Sequence, residues 1–252
     1  MMPVNEILLL CAVGLFMGMI AVTSGGGATA GVPLVLLLGY PAASSVIAVS
    51  FGLLASFITG TFTYRRLEPP KAQLPLFIWP VAAFGSILGA NLFLTIPPGV
   101  LRVVILVLLV GVLILSFTLK PSKMQEHQVT TPAKRRVGTA VIFALCVYCG
   151  FFGAGFGTFV ILALMYFYGY SFLEGASAGT RFALVVGGAS VLTYLFKGAV
   201  VLKLGIPLAM GCSVGGYLGA MQAQRGGDRF IRVVFIGSTV LLTLKMGYDI
   251  LC

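Results

Sequence analysis

The sequence predicts an all-α polytopic membrane protein made of two homologous halves. Three observations carry this: a strongly apolar composition, a glycine-broken apolar segment at the start of each half, and one repeat register along the chain. Mean hydropathy is +1.09, 59% of residues are hydrophobic and only 9% are charged. An ordinary soluble domain carries about 25% charged residues. The 252 residues suffice for about eight crossing segments with nothing large outside the bilayer. The net charge of +10 would suit a nucleic-acid partner, but the basic residues lie between apolar runs, where charge sets topology. The lipid bilayer is therefore the expected partner, and no nucleic acid is.

The first segment is interrupted by Ser24-Gly25-Gly26-Gly27-Ala28-Thr29-Ala30-Gly31. Ile7 to Ile20 gives 14 residues, about 21 Å of helix, and Ala28 to Leu38 gives 11, about 16 Å. Two such short arms place the glycines inside a hydrocarbon core of roughly 30 Å. Non-helical backbone survives there only when buried in protein or facing a wet cavity. Glu6 is the only charge at the N-terminus and no small-residue cleavage site precedes the glycines, so a cleavable signal peptide is not expected.

Gly39-Tyr40-Pro41 makes a turn, with Pro41 placed to start a helix. Ala42 to Tyr64 is a full span ending at Arg65-Arg66, and Leu74 to Ile96 is the next. The spacing Gly85-x-x-x-Gly89 gives that span a small face for close helix approach. Val100 to Leu119 is a fourth run. The first repeat is thus 1–119, and a linker, 120–136, follows with five basic residues, one acid and His127.

The second repeat, 137–252, follows the same order: broken segment, turn Gly169-Tyr170-Ser171, spans Gly175 to Phe196 and Ile206 to Met221, and a final run Ile231 to Ile250. A shift of 130 positions superposes Gly25 on Gly155, Gly27 on Gly157, Tyr40 on Tyr170, Tyr64 on Tyr194, Gly85 on Gly215, and Arg102-Val103-Val104 on Arg232-Val233-Val234. Re-entrant broken segments give three full spans per half and inverted repeats; discontinuous crossings give four and parallel repeats. Inverted repeats are the expectation, because they bring the two glycine clusters together at mid-depth. The positive-inside tendency makes the face of Arg65, Arg66 and the linker cytoplasmic.

A helix resuming after a break presents free N–H groups and about half a positive charge, so it can hold an anion. The candidate substrate-binding residues are the backbone of Gly25, Gly26, Gly27, Gly153, Gly155 and Gly157, and the hydroxyls of Ser24, Thr29, Ser50, Thr158 and Thr180. Close packing alone is the competing reading of the glycines. Arg181, six residues into its span, is a candidate charge partner, since an Arg at mid-depth costs at least about 2.5 kcal/mol. An ion pair with Glu174 or snorkelling would explain it equally without function.

No catalytic residue, metal or cofactor is expected. Apart from Asp249 at the end of the final run the spans lack Asp and His, and Glu174 is their only Glu, so general acid–base or metal chemistry is not expected. Cys11, Cys146, Cys149, Cys212 and Cys252 read as apolar fillers, although Cys146 and Cys149 leave open a sulfur-relay alternative.

The chain resembles the sulfite exporter TauE/SafE family, also described as toluene-sulfonate uptake permeases. The resemblance rests on Gly14-Leu15-Phe16, Ser24-Gly25-Gly26-Gly27, Val32-Pro33-Leu34 and Leu38-Gly39-Tyr40-Pro41. It continues in Ala48-Val49-Ser50, Tyr64-Arg65-Arg66, Pro97-Pro98-Gly99-Val100-Leu101-Arg102 and Gly153-Ala154-Gly155-Phe156-Gly157. Two departures accompany it: Gly157-Thr158 without a nearby proline, and Arg181 where a hydroxyl or apolar residue is commoner. The resemblance implies a secondary transporter of a small sulfur-containing anion (sulfite, a sulfonate or sulfoacetate) in the bacterial inner membrane. Alternating access is the expected mechanism, and a passive anion channel the alternative. A coupling proton and a homodimeric partner are left open.

Overall fold

The computed structural model describes residues 3–67, 75–97, 99–101, 103–105, 107–108, 132–223 and 225. The described residues are helical with no strand: α1 Val4–Ser24, α2 Gly27–Leu37, α3 Ala42–Leu67, α4 Ile78–Thr95, α5 Pro132–Phe151, α6 Phe156–Tyr168 and α7 Phe172–Phe196, followed by α8 Leu202–Ala223. Between α4 and α5, the described residues from 99 to 108 are helical. The rest of the Val100–Leu119 run, most of the 120–136 linker and the Ile231–Ile250 run lie outside the described residues.

Among the described residues five helices, α1, α3, α4, α7 and α8, are long and apolar enough to cross a bilayer. Their outward faces carry Phe62, Phe84, Leu92 and Met210, each more than half exposed, as lipid-facing positions require. One expectation is corrected here. The first arm is not short: α1 has 21 residues, about 31 Å, enough to span alone. The helix runs on through Thr23 and Ser24 because their hydroxyls donate back to Met19 and Ile20 carbonyls and stay satisfied within the helix. It stops only at Gly25, whose φ of +76° is left-handed, a conformation glycine adopts without the Cβ penalty.

The break then reverses the chain. Gly31 lies over the Met17 sulfur, Gly27 over Ala21, and the Tyr40 hydroxyl donates to the Glu6 carboxylate at the open end, so α1 and α2 form an antiparallel hairpin. The second half does the same. Gly138 meets the Phe167 side chain, and the hydroxyls of Thr139 and Tyr168 bond at 3.0 Å, which pairs the start of α5 with the end of α6. The break between them turns at Gly153 and Gly155, both with positive φ. A capping box, Ser171 Oγ accepting from the Glu174 N–H and Glu174 accepting from the Ser171 N–H, then starts α7.

The long helices α3 and α7 pack antiparallel, Gly60 against Thr180 and Gly187 against Phe57. Each half also holds the other's hairpin. Gly85 and Gly89 of α4 lie against Cys146 and Val147 of α5, while Gly211 and Gly215 of α8 lie against Cys11 and Leu15 of α1. These approaches leave no room for a side chain: a Cβ on Gly89 would sit 2.7 Å from the Phe151 nitrogen. The Gly85-x-x-x-Gly89 face thus does what its spacing implies, and its echo in α8 does the same across the molecule.

Candidate functional site

The hairpin tips meet tip to tip. Gly25 and Gly157 touch through backbone atoms alone, and the Thr158 hydroxyl donates to the Ser24 carbonyl at 2.6 Å. Tyrosines from the long helices hold the carbonyls just before each break: Tyr64 donates to the Val22 oxygen at 3.2 Å and Tyr194 to the Gly150 oxygen at 2.9 Å. Tyr64 and Tyr194 superpose under the repeat register, so both hairpins are anchored alike.

Beside the tips lies a cavity of about 50 Å³. This is room for a few waters or one small anion. Its walls are the first residues of both short helices (Gly27 and Ala28 of α2, Phe156 and Gly157 of α6) and the middle of the long ones, Ser50 to Phe57 of α3 and Ala176 to Ser190 of α7. The long helices thus contribute their central turns, which sets the cavity at mid-depth of the bundle.

Six predicted residues line this space: Gly25, Gly27, Ser50, Gly153, Gly157 and Thr180. The others are near it in different roles. Ser24 is buried with its hydroxyl turned back to the Ile20 oxygen, and Thr158 is taken up in the tip contact. Gly155 caps α6, its carbonyl accepting from the Phe159 N–H. Gly26 caps α2, its carbonyl accepting from the Ala30 N–H. Thr29 follows in the first turn of α2, outside the cavity wall.

Among the described residues no acidic, basic or histidine side chain lines the cavity. Its wall holds two helix starts, about half a positive charge each, and the last turns of α1 and α5 at Ala21, Val22 and Cys149, whose ends carry the opposite sign. The hydroxyls are symmetric too. Ser50 donates to the Val46 oxygen and Thr180 to the Ala176 oxygen, both at 2.8 Å, and the four residues superpose pairwise under the 130-position shift. Each hydroxyl must leave its own helix to donate to an anion, giving up about 1 kcal/mol.

Arg181 stands outside the cavity wall. It is half-buried in α7. Its Nε donates weakly to the Ser177 oxygen at 3.4 Å, and among the described residues it forms no ion pair; the Glu174 carboxylate is engaged in the capping box. Burial pushes the Tyr170 phenol, in the turn before α7, up to about 12, opposed by the Arg181 charge.

Sequence reasoning missed several wall residues. Cys149 lines the cavity, while Cys146 and Cys212 are fully buried fillers as expected; Cys252 lies outside the described residues. Phe57, Phe152, Phe156 and Ser190 also line it, and no local signal marks them. Among the described residues no group of His, Cys, Asp and Glu is placed to hold a metal ion.

Helices long enough to cross a bilayer, lipid-facing apolar surfaces and paired hairpins around a central cavity define a multi-pass helical membrane protein. Comparison with known proteins makes it a transporter. The model of the sulfite exporter TauE/SafE family matches residues 10–246, and the chain belongs to that family. It is 30% identical over 240 residues to a probable membrane transporter protein, ORF9, of Sinorhizobium sp., covering 92% of this chain and 88% of that one. It is 25% identical over 248 residues to a probable membrane transporter protein of Haemophilus influenzae, with 98% and 96% covered. It is 24% identical over 243 residues to the probable membrane transporter protein YfcA of Escherichia coli K12, with 94% and 88% covered. No solved structure matches.

Proposed function

We propose that this chain is a secondary transporter, not an enzyme, carrying a small sulfur-containing oxyanion across the bacterial cytoplasmic membrane by alternating access. The observation that carries this reading is the mid-depth cavity faced by two helix N-termini, one from each half. Each helix start offers about half a positive charge and free N–H groups, which suits a small anion held close to the starts without a buried cation. The N–H groups of Gly27 and Ala28 in α2 and of Gly157 in α6 have no intrahelical acceptors and serve as donors, the Phe156 N–H being taken by the Gly153 oxygen, with Ser50 and Thr180 adding hydroxyls. The small cavity suits a compact anion such as sulfite.

The halves are read as inverted repeats. Each hairpin returns to the side where it began, so three spans separate equivalent points and the second half starts from the opposite face. That places Arg65, Arg66, Lys134, Arg135, Arg136 and Arg225 at one end of the bundle, cytoplasmic by the positive-inside tendency. Rocking of one half against the other would exchange access while the tips stay near mid-depth.

The test is counterflow of labelled sulfite in proteoliposomes, with sulfate, thiosulfate, sulfoacetate and taurine as competitors. Saturable exchange blocked by the compact anions, and weakened at least tenfold by combined Ser50→Ala and Thr180→Ala, supports the reading. Flux that rises linearly with concentration would make the protein a channel. No exchange of any of these anions overturns the substrate class.

A further inference from the structure

Ser190 of α7 brings a third hydroxyl to the cavity wall, after Ser50 and Thr180, and its surroundings differ from theirs. Ser86 of α4, fully buried, meets it from behind the wall: the two side-chain oxygens are 2.6 Å apart. The Ser86 hydroxyl also reaches the Val186 oxygen at 2.6 Å, and the Ser190 hydroxyl reaches the same oxygen at 2.9 Å. The 130-position shift sets Gly60 opposite Ser190 and Gly216 opposite Ser86. Only the second half therefore carries this pair.

The pair leaves one hydroxyl proton in surplus. As part of α7 the Val186 oxygen takes the helical N–H of Ser190, and a carbonyl oxygen has two lone pairs. Ser86 fills the second, so the Ser190 hydroxyl is an extra donor to an oxygen already served. Ser50 and Thr180 have no such relief: among the described residues each shares its carbonyl with the helical N–H alone. When the Ser190 proton turns to the cavity, no buried acceptor is left short. The Ser86 proton then lies between the Val186 and Ser190 oxygens, and whatever part it gives to Ser190 strengthens that hydroxyl as a donor.

Ser86 is itself fixed in place. Gly150 of α5 lies against its backbone with no room for a side chain. The Gly150 carbonyl accepts from Tyr194 at 2.9 Å, one turn along α7 from Ser190. Helices α4, α5 and α7 thus close a ring of contacts behind the cavity wall, three residues before the turn at Gly153.

We propose that Ser190 is a principal side-chain donor to the transported anion, and that Ser86, standing behind the wall, is its positioning residue. The assignment rests on the transporter reading for the identity of the anion. It makes the site one-sided: the second half contributes two hydroxyls, Thr180 and Ser190, and the first half Ser50 alone.

The test is isothermal titration of the full chain in nanodiscs with sodium sulfite, and in parallel with sodium nitrate, a compact oxyanion without sulfur. Stoichiometry reports the folded fraction, so affinity is read separately from folding. Hydrogen bonds to charged groups are the strong class, so Ser190→Ala should weaken sulfite binding about tenfold or more. Ser86→Ala should weaken it about threefold and add nothing in a Ser190→Ala background, a coupling that a merely structural role of Ser86 would not give. Ser213→Ala removes a hydroxyl bonded back to its own helix in α8, outside the cavity wall, and should titrate like the natural protein. Natural affinity in Ser190→Ala, or an undiminished effect of Ser86→Ala in the Ser190→Ala background, overturns the assignment and leaves the sulfite reading standing. Nitrate binding without sulfite binding, weakened in the same order by the same variants, removes the sulfur substrate and keeps the donor pair. No binding of either anion overturns both.

Discussion

Gly25→Ala is the sharpest perturbation of the tip contact. At φ +76° an alanine carries the left-handed penalty, about 1–2 kcal/mol. Its Cβ would also fall below 3.0 Å from three backbone atoms of Gly157 and Thr158, where ordinary contact begins at 3.4 Å. No side chain can rotate out of the way, so the tips must part by more than 0.4 Å. The Thr158–Ser24 bond then stretches from 2.6 Å beyond its short geometry, losing up to about 1 kcal/mol. Together with overpacking of about 1 kcal/mol or more, the meeting of the tips is destabilised by about 3 kcal/mol, a factor above a hundred. The assay pairs thermal unfolding in detergent with sulfite counterflow, against two controls. Gly198→Ala, at φ +65° with nothing within 4 Å, tests strain alone; Gly99→Ala, with open space and no positive φ, should be neutral. Gly25→Ala should lower Tm by several degrees beyond Gly198→Ala and abolish counterflow. A Gly25→Ala protein with the stability and flux of Gly198→Ala would refute the tip-to-tip contact.

Tyr64→Phe and Tyr194→Phe each remove one bond to a pre-break carbonyl and should each cost about 1–2 kcal/mol, near-additively because the sites are independent; unfolding of the double variant checks both. Thr61→Val should be neutral or stabilising by up to about 1 kcal/mol, since the Thr61 hydroxyl is buried without a hydrogen-bond partner among the described residues; a loss of stability would reveal one. Gly89→Val should disrupt the α4–α5 packing, where backbone of α5 fills the position of a Cβ, and lower Tm more than the same change at Gly99. The clasp between Tyr40 and Glu6 gives a pH dependence. Burial, with the bond to Glu6, pushes the Tyr40 phenol up to about 12 from 10.0, so the folded state holds the proton more tightly. Its contribution is full below pH 10 and lost as pH rises towards 12; Tyr40→Phe should flatten Tm against pH in that window.

The local features were legible in the sequence because they are decided within a few residues. Apolar runs fixed helices and a bilayer, glycine runs fixed where helices break, and the shared register located equivalent points such as Tyr64 and Tyr194, Ser50 and Thr180. These follow from hydropathy, from glycine's φ freedom and from the repeat. Chain direction was not legible. A triple glycine permits a kinked crossing or a full reversal equally, and the choice is made by contacts such as Gly31 with Met17 and Tyr40 with Glu6, which join residues far apart along the chain. The same holds for the length of α1, which depends on Thr23 and Ser24 bonding back to their own helix.

The site was half legible. The sequence pointed to the breaks, and six of the twelve candidate residues line the cavity. Depth along a helix can be counted from its ends, but azimuth is set only when neighbours take their places. Thr180 and Arg181 are consecutive, yet one lines the cavity and the other stands outside its wall, about 100° apart around the helix. Cys149 reads as filler because its apolar surroundings in sequence do not reveal that α5 turns that edge to the cavity. Composition and glycine placement thus determined by themselves that this chain is a helical membrane protein with two broken segments. The reversal of each hairpin, the meeting of the tips and the separation of Arg181 from the cavity were decided only by tertiary packing, because each depends on which distant backbone fills the space a glycine leaves.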